Sequence, residues 1–467
     1  MMLVKTLLDK IGIESNDDRE VKGISFNSTN VGNGYIFIAK KGFSYDGNDY
    51  INEAFSNGAL CVISDSFNGN NIYYSSNIDE DKLTLINEFY NFDDIKIIGI
   101  TGTNGKTSTC YLLYEALNNL GIKATYIGTL GIISENYFYE LENTTPEVDI
   151  LAREISKAKE RNSKYIVMEV SSHSLSLNRV SLLKFDYIGF TNLSQDHLDF
   201  YKNMEEYFLS KKLLFDKAGS DCLAVINKDD IYSKRIIEDY KGNVVSYGKN
   251  SDYEYEIISN DLSGISFRID GEIIQSKLLF KTNIYNLAMV YLLLKGIGIN
   301  KKDIVNVLSN CNVIKGRSEV LYNKEFCVIL DYAHTPDAME RILLEVNKIR
   351  KNRVVCLFGC GGNRDNKKRE IMGFIASINS DKVYICNDNP RYENEDKIIN
   401  DITGLIKDKT NYEIIKNRKD AIEAALSNLC DGDILVILGK GHEEYQIIGN
   451  KKYHFSDKEI VLKWLEK

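Results

Sequence analysis

Residues 95–107 read IKIIGITGTNGKT. An apolar, β-branched run feeds a glycine-rich turn, and helical spacing starts at Thr107. No other feature limits the fold as strongly. A strand that turns directly into a helix is the first half of a βαβ unit, and the return strand of that unit must lie parallel to the first. YIVMEV at 165–170 and YIGFTNL at 187–193 are further buried-strand candidates separated by helical segments. A parallel sheet in an α/β fold is therefore expected.

The same turn carries chemistry. Backbone amides of a glycine loop, with a helix N-terminus behind them, form a cradle for phosphate oxygens. Gly102, Thr103, Asn104 and Gly105 would build that cradle, ahead of Lys106, Thr107 and Ser108. Lys106 would reach the β- and γ-phosphates and the Thr107 hydroxyl a Mg²⁺ ion. The strict G-x-x-x-x-G-K-[ST] pattern fails at one place, because Ile100 stands where its first glycine belongs. The bland alternative is a strand–turn–helix corner with a chance lysine. Even a true phosphate loop predicts only nucleoside triphosphate binding, so the reaction must come from other segments.

Those segments are organised. Residues 1–90 hold short β-like runs (YIFIAKKG, ALCVISD) and one helical stretch, too little for a full doubly wound domain. The run KTNIYNLAMVYLLLKGIGI reads as a helix ending in glycine, and after about Lys315 a second α/β series begins: FCVILDYA, VVCLFGC, KVYICND, DILVILG. The expected domains are 1–90, 91–314 and 315–467, in keeping with a soft prior of about three domains for 467 residues. A net charge of −9 argues against a nucleic-acid-coating protein. No apolar run approaches the ~20 residues of a membrane span, and the start lacks a signal-peptide core. Nine scattered cysteines read as reduced thiols, so a cytoplasmic protein is expected. Only three prolines are present, Pro146, Pro336 and Pro390.

The form GITGTNGKTS resembles the phosphate loop of the Mur ligases, ATP-dependent amide-bond-forming enzymes of peptidoglycan synthesis. Further segments match in family order: Asn143-Thr-Thr-Pro146, Met168-Glu-Val-Ser-Ser-His173, Thr191-Asn-Leu-Ser-Gln-Asp-His197-Leu-Asp199, Ser210-Lys211, Asn283-Ile-Tyr-Asn286, Gly316-Arg317 and Asp331-Tyr-Ala-His334-Thr-Pro336. Gly361-Gly-Asn-Arg364-Asp365, Asp388-Asn-Pro-Arg391 and Gly439-Lys-Gly-His-Glu443 complete the series. The resemblance implies a small N-terminal α/β domain, a central phosphate-loop ATPase domain with a parallel sheet, and a C-terminal Rossmann-like α/β domain. A monomer is expected, with no nucleic-acid partner and no membrane span.

The reaction it implies is the joining of an amine to a carboxylate activated as an acyl phosphate. Such phosphoryl transfer needs positioning and positive charge more than covalent chemistry, and ATP with Mg²⁺ would supply the phosphoryl group and its counter-charge. Thr107, Glu169, His197 and Lys211 are the implied metal-holding set, and Lys106, Glu169, His197 and Lys211 the catalytic set. On residue type alone His197 reads rather as a hydrogen-bonded structural histidine, since imidazole is an unusual Mg²⁺ ligand, and only the resemblance reverses that. Lys211 is the implied carbamylated lysine, and carbamylation needs its neutral amine, which burial favours. Its neighbour Lys212 leaves the register open by one residue, and both could be a solvated helix face. Asn286 is the implied adenine contact, with Arg317, Asp331 and His334 closing over ribose and phosphates.

The resemblance maps Phe26, Ser28, Phe43, Ser44 and Tyr45 to the uridine end of a UDP-sugar acceptor. It maps Asn143, Thr144, Thr145, Ser171 and Arg179 to the muramoyl-dipeptide end. Asn27-Ser28-Thr29 stands where Asp-Ser-Arg is usual, and Leu177 where some relatives carry Gln. Arg364, Asp388, Asn389, Pro390, Arg391, Gly439 and Glu443 map to the incoming amino acid. Here Asn363 replaces a usual Asp, and Glu395 a usual Pro. meso-2,6-Diaminopimelate differs from lysine by a distal carboxylate, and an arginine fork can hold a carboxylate bidentately. Arg391 therefore points to diaminopimelate as the residue added to UDP-N-acetylmuramoyl-L-alanyl-D-glutamate. A pairing of Arg391 with Glu393 is its structural alternative. A paralogue adding lysine or another amine, a binding module without ligase activity, and a folate polyglutamate ligase are the competing readings.

Overall fold

The computed structural model describes the chain apart from Met1, Phe43, Ser44, Asn91, Asp93, Asp199, Asp408, Lys409, Thr410 and Lys467. Two compact units emerge: Met1–Thr101, Gly121–Ile188 and Leu213–Cys222 form one, and Gly102–Leu120, Gly189–Lys212 and Leu223–Lys467 the other.

The first unit contains a parallel sheet of the strands Gly23–Ser25, Tyr35–Ala39, Ala59–Ser64 and Ile72–Tyr74, laid down in sequence order. Ile36, Ile38, Cys61 and Ile63 bury one face against the helices Val4–Asp9 and Ile78–Phe89, while Phe37, Ala39 and Val62 bury the other against Ile51–Ser56. Alternation along each strand puts successive side chains on opposite faces, so a sheet covered on both sides needs continuous apolar runs. In the same unit Lys96–Thr101 pairs in parallel with Tyr165–Glu169, which pairs in parallel with Ala124–Gly128. Gly131–Ser134 and Tyr137–Tyr139 extend this sheet antiparallel. Glu169 lies opposite Ile100, at the carboxyl end of both strands.

In the second unit a six-stranded sheet runs Glu319–Asn323, Cys327–Asp331, Ile434–Leu438, Val354–Phe358, Lys382–Ile385, Tyr412–Ile414. Only the first strand is antiparallel. Ile329, Val436, Phe358 and Ile385 face the helices Pro336–Ile349, Lys367–Asn379 and Glu395–Thr403. Val328, Leu435, Leu357 and Tyr384 face Arg418–Ser427 and Asp457–Leu465. Each fully buried Val, Leu or Ile contributes about 1.5–3 kcal/mol. The helix Lys281–Ile297 ends at Gly298, whose φ of 101° caps it in the left-handed conformation.

Four strand candidates of the second α/β series thus form a parallel sheet. The chain has the α/β fold expected from its sequence. A separate antiparallel sheet, Tyr255–Asp261, Gly264–Ile269 and Glu272–Ser276, was not anticipated. The hairpin Tyr445–Ile448/Lys451–His454 was missed as well.

Candidate active site

The glycine turn becomes a tight loop capped by its own lysine. Gly102 has φ 146°, and a Cβ there would lie 1.9 Å from Thr191 Oγ1, so only glycine fits. Gly105 caps the helix Lys106–Asn119 at φ 85°. Lys106 Nζ donates to the carbonyls of Gly102 and Thr103, both at 2.8 Å. The Thr103 amide donates to the Asn192 carbonyl at 2.8 Å, and Thr191 Oγ1 donates to the Asn104 carbonyl at 2.7 Å. Arg317 Nη2 donates to Thr107 Oγ1 at 3.3 Å. Asn286, on the long helix, accepts from Thr109 Oγ1 and donates to Asn283 Oδ1. Ser108 is buried on the first turn behind the loop.

Lys211 is the buried lysine of the pair. Its Nζ donates to the Gly102 carbonyl at 2.9 Å and sits 4.5 Å from the Tyr207 ring centroid. Burial pushes its pKa well below the ordinary lysine value, and the Lys106 charge lowers it further. Lys212 instead reaches Asp239 at 3.0 Å from the surface. His197 has φ 55° and a half-exposed ring, with Nε2 3.4 Å from Asp196 Oδ2.

Asp331 closes its strand and accepts from the amides of Ser318 and Ala333 at 2.6 and 2.8 Å. Arg317 lies over the Tyr332 ring, 4.6 Å from its centroid, and His334 Nδ1 is 2.9 Å from the Tyr332 carbonyl. Gly316 touches the backbone of Gly441 and His442, where a Cβ would lie 2.1 Å from the His442 nitrogen. Burial lowers the His442 pKa to about 4, so this ring is neutral near pH 7.

In the first unit Glu169 is fully buried. Its Oε1 accepts from Tyr126 OH at 2.5 Å and from the Thr129 amide at 2.8 Å. Thr129 Oγ1 lies 3.2 Å from Thr144 Oγ1. Thr145 Oγ1 donates to the Glu169 carbonyl at 2.8 Å and accepts from the Ser171 amide at 3.1 Å. Arg179 Nη1 donates to the Thr145 carbonyl at 3.1 Å, and Nη2 pairs with Glu147 at 2.6 Å. Glu169, Thr144, Thr145, Ser171 and Arg179 are therefore one connected network, beside an exposed Asn143. Asn27 accepts from the Thr29 amide, and Ser28 donates to Glu53 at 2.7 Å. Phe26 is held by its amide on Asp149. Tyr45 is exposed, while Phe43 and Ser44 lie outside the described residues.

The loops that carry Arg364, Asp388–Arg391 and Gly439–Glu443 leave the carboxyl ends of adjacent parallel strands, where α/β sites form. Asn389 Nδ2 donates to Glu443 Oε2 at 3.1 Å, and the fully buried Lys440 donates to both residues. Gln446 Nε2 donates to the Asp388 carbonyl at 2.6 Å. The missed hairpin holds this loop, because the Arg391 amide bonds Ile447 and the Gly449 amide bonds the Arg391 carbonyl. Arg391 has φ 52°, and its Nη1 donates to the Gly362 carbonyl at 2.8 Å. A cavity of about 480 Å³ opens here, walled by Pro390, Arg391, Glu393 and Ile448. Arg391 does not pair with Glu393, which is taken by Arg369 at 2.7 Å and Lys397 at 3.2 Å. Neither Arg391 nor Arg364 has an ion pair among the described residues, and a Cβ on Gly361 would lie 3.1 Å from Arg391 Nη1 and 3.9 Å from Arg364 Cγ. Gly439 stands against Asp388.

Three family models cover the chain: the Mur ligase family catalytic domain over residues 20–90, the middle domain over 100–294, and the glutamate ligase domain over 316–441. A Fusobacterium nucleatum protein named UDP-N-acetylmuramoyl-L-alanyl-D-glutamate--2,6-diaminopimelate ligase is 39% identical over 97% of this chain and 95% of its own. The Aquifex aeolicus protein of the same name is 38% identical over 95% and 93%. A solved structure with that name superposes with TM-score 0.69 at 27% identity, covering 100% of this chain and 99% of the other.

Proposed function

The chain belongs to the Mur ligase family, and we propose that it joins meso-2,6-diaminopimelate to UDP-N-acetylmuramoyl-L-alanyl-D-glutamate at the cost of ATP. Relatives named for that reaction, matching over nearly the whole chain, support the class. The observation that carries the choice of amino acid is Arg391, a guanidinium with a carbonyl contact and no ionic partner among the described residues, at the wall of a cavity. A distal carboxylate is the group it lacks.

The γ-phosphoryl group of ATP passes to the D-glutamyl carboxylate, giving an acyl phosphate and ADP. The diaminopimelate amine then attacks the acyl carbon, loses a proton, and phosphate leaves. The loop amides and Lys106 grip the nucleotide phosphates, and Arg317 adds positive charge at Thr107. Asn286, Asp331 and His334 hold the nucleoside. Phe26, Ser28 and Tyr45 with Phe43 and Ser44 take the uridine end, and the network of Asn143, Thr144, Thr145, Ser171 and Arg179 takes the dipeptide end. Arg364, Arg391, Asp388, Asn389, Pro390, Gly439 and Glu443 receive the amino acid. On this reading 1–90 binds the uridine end, 91–314 carries most of the ATP contacts and the dipeptide contacts, and 315–467 binds the amino acid and adds Arg317, Asp331 and His334 to the nucleotide.

Mg²⁺ fits the donors. The Thr107 hydroxyl and the Glu169 carboxylate are hard oxygen ligands, and this ion takes few protein ligands beside substrate phosphates. Thr107, Glu169, His197 and a carbamylated Lys211 would between them hold two such ions, His197 the second, and these would neutralise charge on the transferring phosphoryl group. The neutral Lys211 amine forms its carbamate by attacking CO₂ and releasing a proton. A reaction that uses ATP and a UDP-linked acceptor fits a cytoplasmic enzyme. No helix among the described residues is long and apolar enough to cross a membrane. A monomer suffices for these roles.

The test is ADP release with the UDP-muramoyl-dipeptide and a panel of amines. Diaminopimelate supports turnover; turnover with lysine and not diaminopimelate overturns the reading.

A further inference from the structure

Asp337 has no part in the roles assigned so far, yet it touches the phosphate loop. It sits in the first turn of the helix Pro336–Ile349, whose start is fixed by Pro336 and by the Thr335 hydroxyl accepting from the Ala338 amide. Its Oδ1 accepts from Arg341 Nε at 3.1 Å, one helical turn on. Its Oδ2 accepts from Asn104 Nδ2 and from Ser194 Oγ, each at 2.8 Å.

Those two donors belong to different segments. Asn104 is inside the phosphate loop. Ser194 follows the strand Tyr187–Phe190, and its amide donates to Thr103 Oγ1 at 3.0 Å. Asn104 Nδ2 also lies 3.3 Å from Ser194 Oγ. One carboxylate oxygen therefore gathers the phosphate loop, the loop beside it and the start of a helix 233 residues away in sequence from Asn104. An acid in a first helical turn ordinarily needs no more explanation than the helix dipole. Here the carboxylate is turned onto two neutral donors, and charge-assisted bonds of this kind are about twice as strong as neutral ones.

We propose that Asp337 is a positioning residue for ATP turnover. It fixes the Asn104 side chain, and through Ser194 the Thr103 side of the loop, when the segment carrying Asp331 and His334 is seated. The segment that contacts the nucleoside thus sets the geometry of the loop that grips the phosphates. The inference rests on ATP use alone and not on which amine is added.

The test is steady-state kinetics on the full chain, comparing wild type with D337A, D337N, S194A and D337A/S194A. For D337A, kcat/KM for ATP falls about 30-fold, while KM for the UDP-muramoyl-dipeptide stays within about twofold. The amide in D337N keeps one acceptor and gives an intermediate loss. The double variant is no worse than D337A, because Ser194 acts through the same oxygen. D337N also serves if D337A does not fold, and thermal unfolding of each variant separates folding from positioning. An ATP kcat/KM for D337A, or for D337N where D337A fails to fold, within twofold of wild type overturns the proposal. So do losses that multiply in the double variant, or a rise of more than about twofold in KM for the UDP-muramoyl-dipeptide or the amine.

Discussion

Lys106 and Lys211 donate to the same acceptor, the carbonyl oxygen of Gly102, at 2.8 and 2.9 Å. Burial of Lys211 makes its ammonium give up its proton more readily, and repulsion from the Lys106 ammonium adds to this. Lys211 therefore has a lower pKa folded than unfolded. Between the two values the unfolded chain binds more protons, so stability rises with pH across that window. In CO₂-depleted buffer, urea unfolding is expected to show a gain from pH 7 to pH 9 that K211M lacks. Parallel pH profiles for the two proteins would contradict it.

The proposed carbamylation would give the same lysine a second signature. Turnover is expected to fall in CO₂-free buffer and recover with bicarbonate. K211R keeps a cation that cannot be neutralised, so it should lose at least ~100-fold in kcat and show no bicarbonate response.

Arg391 should carry discrimination and not turnover itself. R391A is expected to lower kcat/KM for diaminopimelate by about 10³-fold, because a site built around a polar group penalises its loss heavily. Lysine, which lacks the distal carboxylate, should change by less than about fivefold. An equal fall for both amines would assign Arg391 to general folding of the loop.

Glu393 supports that loop through Arg369, which is fully buried and also holds Asp401 at 2.8 Å. The Arg369 guanidinium holds the Glu393 carboxyl far below the usual carboxylate range. Its stabilisation is complete above the ordinary glutamate value of 4.5 and is lost as pH falls through the lower folded value. E393Q is expected to cost about 2–3 kcal/mol at pH 7. The gap to wild type should narrow below pH 4.5, read by urea unfolding at each pH.

Arg418 and Asp457 form a pair with both side chains fully buried. Arg418 also donates to the Leu438 carbonyl at 2.9 Å and approaches Cys386 Sγ at 3.5 Å, fastening the two strand ends from which the loops of Asp388 and Gly439 spring. D457N leaves a buried cation half-paired and should cost about 3–5 kcal/mol in urea unfolding.

What was legible in the sequence follows from physics that acts locally. Strands buried on both faces announce themselves as apolar runs such as Ile434–Leu438, and the phosphate loop is a contiguous string. The hairpin turn Asp270-Gly271, with φ of 54° and 82°, is a type I′ pair whose signal is equally local. Other features depend on contacts far apart in the chain. Arg369 lies in the charged run Lys367-Lys368-Arg369-Glu370, which looks solvated, yet it is fully buried because Glu393 and Asp401 meet it. The choice between Lys211 and Lys212 could not be made from a helical pattern one residue wide. The loops behind two of the three prolines showed their geometry only in three dimensions: Pro336 starts the helix of Asp337, and Pro390 precedes the left-handed Arg391.

The most direct measurement is a competition in one vessel. The full-length protein receives ATP, UDP-N-acetylmuramoyl-L-alanyl-D-glutamate and equal concentrations of meso-diaminopimelate and lysine, and the product is identified by mass. The account predicts the diaminopimelate adduct in at least ~100-fold excess. A product dominated by lysine, or ATP hydrolysis with no amide formed, would contradict it.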